Sequence, residues 1–232
     1  LPAMLLLSGC GWSGPAEFPL NLEGRDPKTV SLAQEEALKE AMTRLFGTPD
    51  EPRVPEDSGL DRELVKAAAG PVASDADGAQ RGLFRQHCVS CHGMAGDGAG
   101  PSASLLNPYP RDFRFGVFKF TSTLPGIKPT RDDLEQTLLR GIPGTSMPSF
   151  ARLRPEEIAA LREYVRYLSI RGETERFLVQ LVVDEDEYLP LNMQYVEEEG
   201  LRPVVEAWKA PEQDRSLIVT PPPRPVFDTP AE

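Results

Sequence analysis

The run His87-Cys88-Val89-Ser90-Cys91-His92-Gly93 holds two of the chain's three cysteines and both of its histidines. Two thiols three positions apart, with an imidazole directly behind the second, suit four chemistries: a covalent haem site, a zinc site, a redox dithiol or a disulfide. A closed zinc site needs four Cys or His ligands, and the one candidate outside this cluster, Cys10, lies in a segment with another use. A thioredoxin-type dithiol needs a preceding strand and a βαβ setting, whereas the residues before Cys88 read as helix and those after it as a Gly-rich loop. Covalent haem accounts for the pattern best, with a plain disulfide or reactive dithiol as the residual alternative. Cysteines at this spacing add as thioethers to the vinyl groups on one porphyrin edge, and His92 then lies under the ring, within reach of the iron.

Such a site leaves a second axial position to fill. The methionines are Met4, Met42, Met94, Met147 and Met193. Met94 is too near His92 to reach the opposite face of a ring, Met4 lies in the leader-like start, and Met42 and Met193 lie in flanking helical or acidic segments. Met147 sits in "RGIPGTSMPSF", stiffened by Pro143 and Pro148 and given tight turns by Gly141 and Gly144. It is the expected sixth ligand, against the alternative of core filler. His87, beside Cys88, reads as a surface histidine at a helix end.

These residues need elements to place them. The sequence predicts three helices. The first, "DGAQRGLFRQHC", has Asp77 as its N-cap. The second, "TRDDLEQTLLRG", is capped by Thr130 and Asp133 and stopped at Gly141. The third, "RPEEIAALREYVRYLS", carries Ile158, Leu161, Val165 and Leu168 as an apolar stripe. The long Gly-, Pro- and aromatic-rich stretch between the first two would count against a compact domain unless a buried cofactor supplies the core.

The order of helix, attachment box, loops, helix, methionine loop and final helix resembles a class I monohaem c-type cytochrome, over about residues 75 to 171. The resemblance implies an all-α fold of three core helices round one covalent haem c, with Cys88, Cys91 and His92 as the attachment box and Met147 as the second axial ligand. It also implies a proline carbonyl that accepts the free N–H of the axial histidine, a place that Pro101 matches. A further family feature is a glycine eight positions before the first Cys, where the first and last helices cross; here Gln80 stands there and Gly82 is offset. "PYPRDFR" and "KFTST" resemble a subgroup of bacterial envelope cytochromes with long extensions. Tyr109, Arg111, Arg114 and Lys119 are candidate partners for haem propionates, Arg suiting carboxylates in partly buried places. Phe113, Phe115, Phe118 and Phe120 are read as core and haem-packing residues.

The third cysteine has its own context. "LPAMLLLSGCGWSG" reads as the later part of a leader, and Leu7-Ser8-Gly9-Cys10 matches a bacterial lipobox, whose cysteine carries a diacylglyceryl group. Its apolar run is far shorter than the ~20 residues needed to span a bilayer. The expected organisation is a leader remnant, lipobox and tether over 1–24, a helical N-terminal extension over 25–74, the haem domain over 75–171, and an acidic, Pro-rich extension over 172–232. The N-terminal extension includes a helix "SLAQEEALKEAMTRLFG" boxed by Ser31 and Gln34, and a short one from about Leu60 to Ala69. In the C-terminal one, "ETERFLVQLVV" continues the third helix and "MQYVEEEGLRPVVEAW" gives a helical stretch broken at Pro203.

Charge is patterned along the chain. Residues 184–232 hold 12 acids and 4 bases, a net of −8, while the whole chain carries −11. This balance disfavours nucleic-acid binding, and no phosphate loop, carboxylate pair or serine triad is visible. The expected function is an exported, membrane-anchored lipoprotein on the periplasmic side of the envelope that passes single electrons between respiratory complexes or other cytochromes. The alternatives are a haem subunit of an oxidase or dehydrogenase, a peroxidase-like enzyme in which Met147 leaves the iron, and a haem-based ligand sensor.

Overall fold

The structure, a computed structural model, describes residues 16–22, 24–76, 78–184 and 190–219. The proposed lipobox, Cys10, Met4 and the Pro-rich tail lie outside the described residues. The first long element, α1 (Leu32–Phe46), begins with a reciprocal cap: Ser31 Oγ accepts from Gln34 N–H (3.2 Å) and Gln34 Oε1 accepts from Ser31 N–H (2.9 Å). It buries Leu38, Met42 and Leu45, as the spacing predicts, and ends at Gly47 with φ +70°. A shorter helix, α2 (Arg62–Ala68), is capped by Asp61.

The next helix departs from expectation. Residues before it form a small antiparallel pair, β1 (Ala73–Ser74) with β2 (Gln80–Arg81), and α3 starts only at Leu83, running to His87. Gly78 and Gly82 take φ of +79° and +71°, which a continuous helix does not accommodate. Asp75 Oδ1 accepts the Ala79 N–H at 2.8 Å and closes the turn between the strands. The expected cap, Asp77, lies outside the described residues. The box itself forms α4 (Val89–His92).

Helix α5 (Arg131–Arg140) has the predicted Thr130–Asp133 box and ends at Gly141. Helix α6 (Pro155–Val179) is the axis of the molecule. It runs unbroken across residues 171–172 and passes into a π-helical turn, Gln180–Asp184. Ile158, Leu161, Val165 and Leu168 are buried as predicted. So is most of the rest, because α1, α2, α3, α5 and the 113–115 turn all pack round it. Its charged residues survive burial by pairing: Arg166 with Glu163 at 3.1 Å and Arg171 with Glu175 at 3.0 Å, every side chain at most 3% exposed. Removing one member of the Arg171–Glu175 pair takes away the other's buried partner and costs about 3–5 kcal/mol.

No glycine mediates the contact of α3 with α6; Phe84 packs on Tyr164 there, ring centroids 5.0 Å apart. The glycine that admits close approach is Gly172, against the 113–115 turn. After α6 come α7 (Met193–Tyr195), a π-helical turn (Val196–Leu201) and α8 (Arg202–Gln213), in one continuous helical run. Pro203 does not break it. It lies in the first turn of α8, where its missing N–H is harmless, and the wide turn before it absorbs its ring. The segment then pairs back on the loop before α5: Leu124 N–H donates to Leu217 O (2.9 Å) and Val219 N–H to Ser122 O (2.7 Å). At the other end, Phe18 lies under the Arg171 guanidinium, 4.1 Å from ring centroid to carbon. The fold is all-α, with one two-residue strand pair among the described residues. None of the described helices is long and apolar enough to cross a membrane.

Candidate functional site

A mostly apolar cavity of ≈ 290 Å³ opens between the attachment box, the 106–120 loop, α5 and the loop after it. Helices α3 and α4 present Cys88, Cys91 and His92 to it, and the loop from Gly141 to Phe150 presents Met147. Residues 55 positions apart, His92 and Met147, therefore line one space. Met42 is buried in the core beneath α1, and Met94 and Met193 do not line the cavity. Among the described methionines, only Met147 does.

Backbone hydrogen bonds fix the box. Gly98 N–H donates to His92 O (2.9 Å), Gly100 N–H to Cys91 O (3.1 Å) and Ser102 N–H to Ser90 O (2.8 Å). A Cβ on Gly100 would sit 2.7 Å from the Cys91 carbonyl carbon, so glycine alone lets this strap cross the box. On the methionine side, Ile142 N–H donates to Met147 O (3.1 Å), and Thr145 Oγ1 accepts from Met147 N–H (3.1 Å).

The imidazole of His92 is buried, and its Nδ1 lies 3.0 Å from the Arg111 carbonyl oxygen. A carbonyl only accepts, so Nδ1 carries the proton and Nε2 keeps its lone pair. Burial lowers the pKa of His92, outweighing the opposing effect of the hydrogen bond it donates to the Arg111 carbonyl. A neutral imidazole with one nitrogen tied is the form that binds metal, and such outer contacts raise ligand basicity. The acceptor is not the expected one. Pro101 is exposed and does not line the cavity, because the 98–102 strap is engaged with the box backbone and the 110–112 segment is the one passing the ring.

Both thiols are free. Burial, with Cys91 adding to it, pushes the Cys88 thiol up to about 12. A redox dithiol needs a thiolate at neutral pH, and this environment opposes it. Among the described residues no group of three or more His, Cys, Asp or Glu side chains is placed to hold a metal ion. The donor set suits a covalent haem instead: two thiols, one imidazole with a free lone pair and one thioether across an apolar space.

Of the four candidate propionate partners, Tyr109, Arg111 and Lys119 line the cavity. Arg114 does not; its guanidinium is engaged by Asp112, with Nη2 2.7 Å from Oδ2. Phe113, Phe118 and Phe120 line it as well, whereas Phe115 turns to the Arg176 guanidinium. His87 also reaches the cavity, its ring meeting Phe150 edge-on at 6.0 Å. Arg162 of α6 lines it too and pairs with Glu135. Its position four residues after Ile158 on the inward stripe was the available sequence signal.

Comparisons with known proteins bear on this site. The curated proteins give no match. A chain of the Kuenenia stuttgartiensis reducing HAO-like protein complex Kustc0457/Kustc0458 is 24% identical at a TM-score of 0.39, over 50% of this chain. The match spans 44% of that chain, less than half its length. Residues 77–169 match the family model of Cytochrome c. The chain thus carries a cytochrome c domain, which supports covalently bound haem c and haem-based electron transfer as its chemistry.

Proposed function

We propose that the chain is a class I monohaem cytochrome c that carries single electrons between respiratory partners in the cell envelope, held to the membrane by lipid on Cys10. What supports this most is the convergence of Cys88, Cys91, His92 and, from a distant loop, Met147 on one apolar cavity. Cys88 and Cys91 would hold the haem through thioethers, and His92 and Met147 would be its axial ligands. Bound there, haem supplies an iron that cycles between two oxidation states.

The chain's own residues then have separate tasks. The Arg111 carbonyl holds the His92 Nδ1 proton, keeping the ring in one tautomer. Phe113 covers the imidazole and excludes water from it. The Met147 thioether favours the reduced state, which raises the potential relative to a second imidazole. Tyr109, Arg111 and Lys119, at the cavity wall, offer donors to propionates. The tether, the single haem and the respiratory partners complete this reading on the strength of the lipobox at Leu7–Cys10 and the single C-x-x-C-H motif.

Exogenous ligands separate a carrier from a catalyst. The purified protein, carrying one haem per chain by intact mass, should bind neither cyanide when oxidised nor carbon monoxide when reduced, because His92 and Met147 would both hold the iron. Ready uptake of either ligand by the wild-type protein would replace the carrier with a haem enzyme or sensor.

A further inference from the structure

Trp208 is fully buried on α8, outside the segment that matches the cytochrome c model. Its indole Nε1 donates to Glu173 Oε1 at 2.7 Å, and its ring centroid lies 5.7 Å from both Lys128 Nζ and the Arg166 guanidinium carbon. Phe118 meets it edge-on, centroids 6.1 Å apart at 81°. Phe118 stacks on Phe113 at 5.9 Å and 17°, and Phe113 stacks on the His92 imidazole at 4.4 Å and 22°. Four rings therefore run without interruption from the C-terminal segment to the box histidine.

One hydrogen bond at Nδ1 restrains a single atom of the imidazole, and the terminal torsion of a histidine is intrinsically broad. The stacked Phe113 ring restrains the plane. Phe113 has little freedom of its own on one side: its N–H donates to Gly96 O at 2.7 Å, and a Cβ on Gly96 would lie 2.8 Å from its ring. On the other side its neighbour is Phe118, and Phe118 is backed by Trp208. The pairing of Ser122 and Leu124 with Leu217 and Val219 holds the loop that carries Phe118 against the same segment.

We propose that Trp208 is a positioning residue for His92: fixed by Glu173 and Arg166, it backs Phe118, which holds Phe113 flat on the imidazole and so sets the plane of that ring. The C-terminal segment is then a working part of the haem site. This rests on the reading of His92 as an axial ligand.

The test uses the haem-loaded full chain. In the oxidised state the spread of the hyperfine-shifted haem methyl resonances in proton NMR reports the planes of the axial ligands. Trp208→Ala opens space behind Phe118 and should change that spread, while Trp208→Phe should restore it toward wild type. Phe118→Leu cuts the same chain of rings with Trp208 in place, and should shift the spread in the same sense. Val205→Ala, a buried α8 change outside the ring series, should leave it at the wild-type pattern. An unchanged spread in Trp208→Ala, or in Phe118→Leu where Trp208→Ala does not fold, overturns the proposal. An equal change in Val205→Ala also overturns it, by reducing Trp208 to general docking of the segment. Failure of the wild-type chain to hold haem, or loss of no axial ligand in His92→Ala, would sink the underlying reading instead.

Discussion

Gly172→Ala tests the packing of the cytochrome fold on a single atom. A Cβ at Gly172 would lie 2.8 Å from the Arg114 carbonyl oxygen and closer still to Arg114 Cα and Cβ, where ordinary contact begins at 3.4 Å. The neighbours are mostly backbone of the 113–115 turn, so no flexible side-chain end gives way; the turn itself must withdraw by about 1 Å to recover normal van der Waals spacing. Overpacking of this kind costs about 1–3 kcal/mol. Alanine returns about 1 kcal/mol of helix propensity over glycine. Because backbone meets the new methyl, the cost falls in the upper part of that range, about 2–3 kcal/mol, leaving a net loss of about 1–2 kcal/mol, or about 2–8 °C in Tm for a chain of this size. Phe113 sits on the displaced turn, so its stacking on His92 should loosen too. Denaturant unfolding of the haem-loaded variant, followed by circular dichroism and haem absorbance, measures both. A variant as stable as wild type, or more so, with an unaltered haem spectrum would refute the close-packed turn.

Glu157 is held ionised below its ordinary range: burial opposes this, but the backbone N–H and guanidinium of Arg154 outweigh burial. A lowered carboxyl pKa contributes stability above the unfolded value of 4.5, lost as pH falls through the lowered one. Glu157→Gln should therefore cost about 0.5 kcal/mol at neutral pH, with the difference closing below about pH 4.5 in acid unfolding; a constant gap would contradict it. Haem should remain on the polypeptide through acid-acetone extraction and denaturing electrophoresis, and Cys88→Ser with Cys91→Ser together should release it. Cys10→Ser should convert a detergent-partitioning, lipid-bearing protein into a soluble one that still holds haem; a wild-type chain without lipid by mass spectrometry would remove the anchor.

Much of the site was readable because it is local or uniquely stocked. Cys88, Cys91 and His92 share one helical turn, and Met147 could be picked out by eliminating the other four methionines. The capping pairs Ser31–Gln34 and Thr130–Asp133 announced α1 and α5, since both partners lie within four residues of each other. Contacts across the fold were not readable in the same way. Pro101 and the 110–112 segment both follow the box in sequence, and only the path of the loop decides that the Arg111 carbonyl meets His92. Arg114 was a fair propionate candidate by charge, yet Asp112 two residues earlier claims it. Trp208 gave no signal toward His92 at all, because two rings of the 106–120 loop, Phe118 and Phe113, stand between them.

The optical spectrum of the oxidised protein, wild type beside Met147→Ala, bears most directly on the account. With His92 and Met147 both on the iron, wild type shows the weak far-red sulfur-to-iron charge-transfer band, and Met147→Ala loses it, lowers the potential and admits cyanide. A wild-type protein without that band, whose spectrum and potential Met147→Ala leaves unchanged, would make Met147 a packing residue and contradict the carrier built on it.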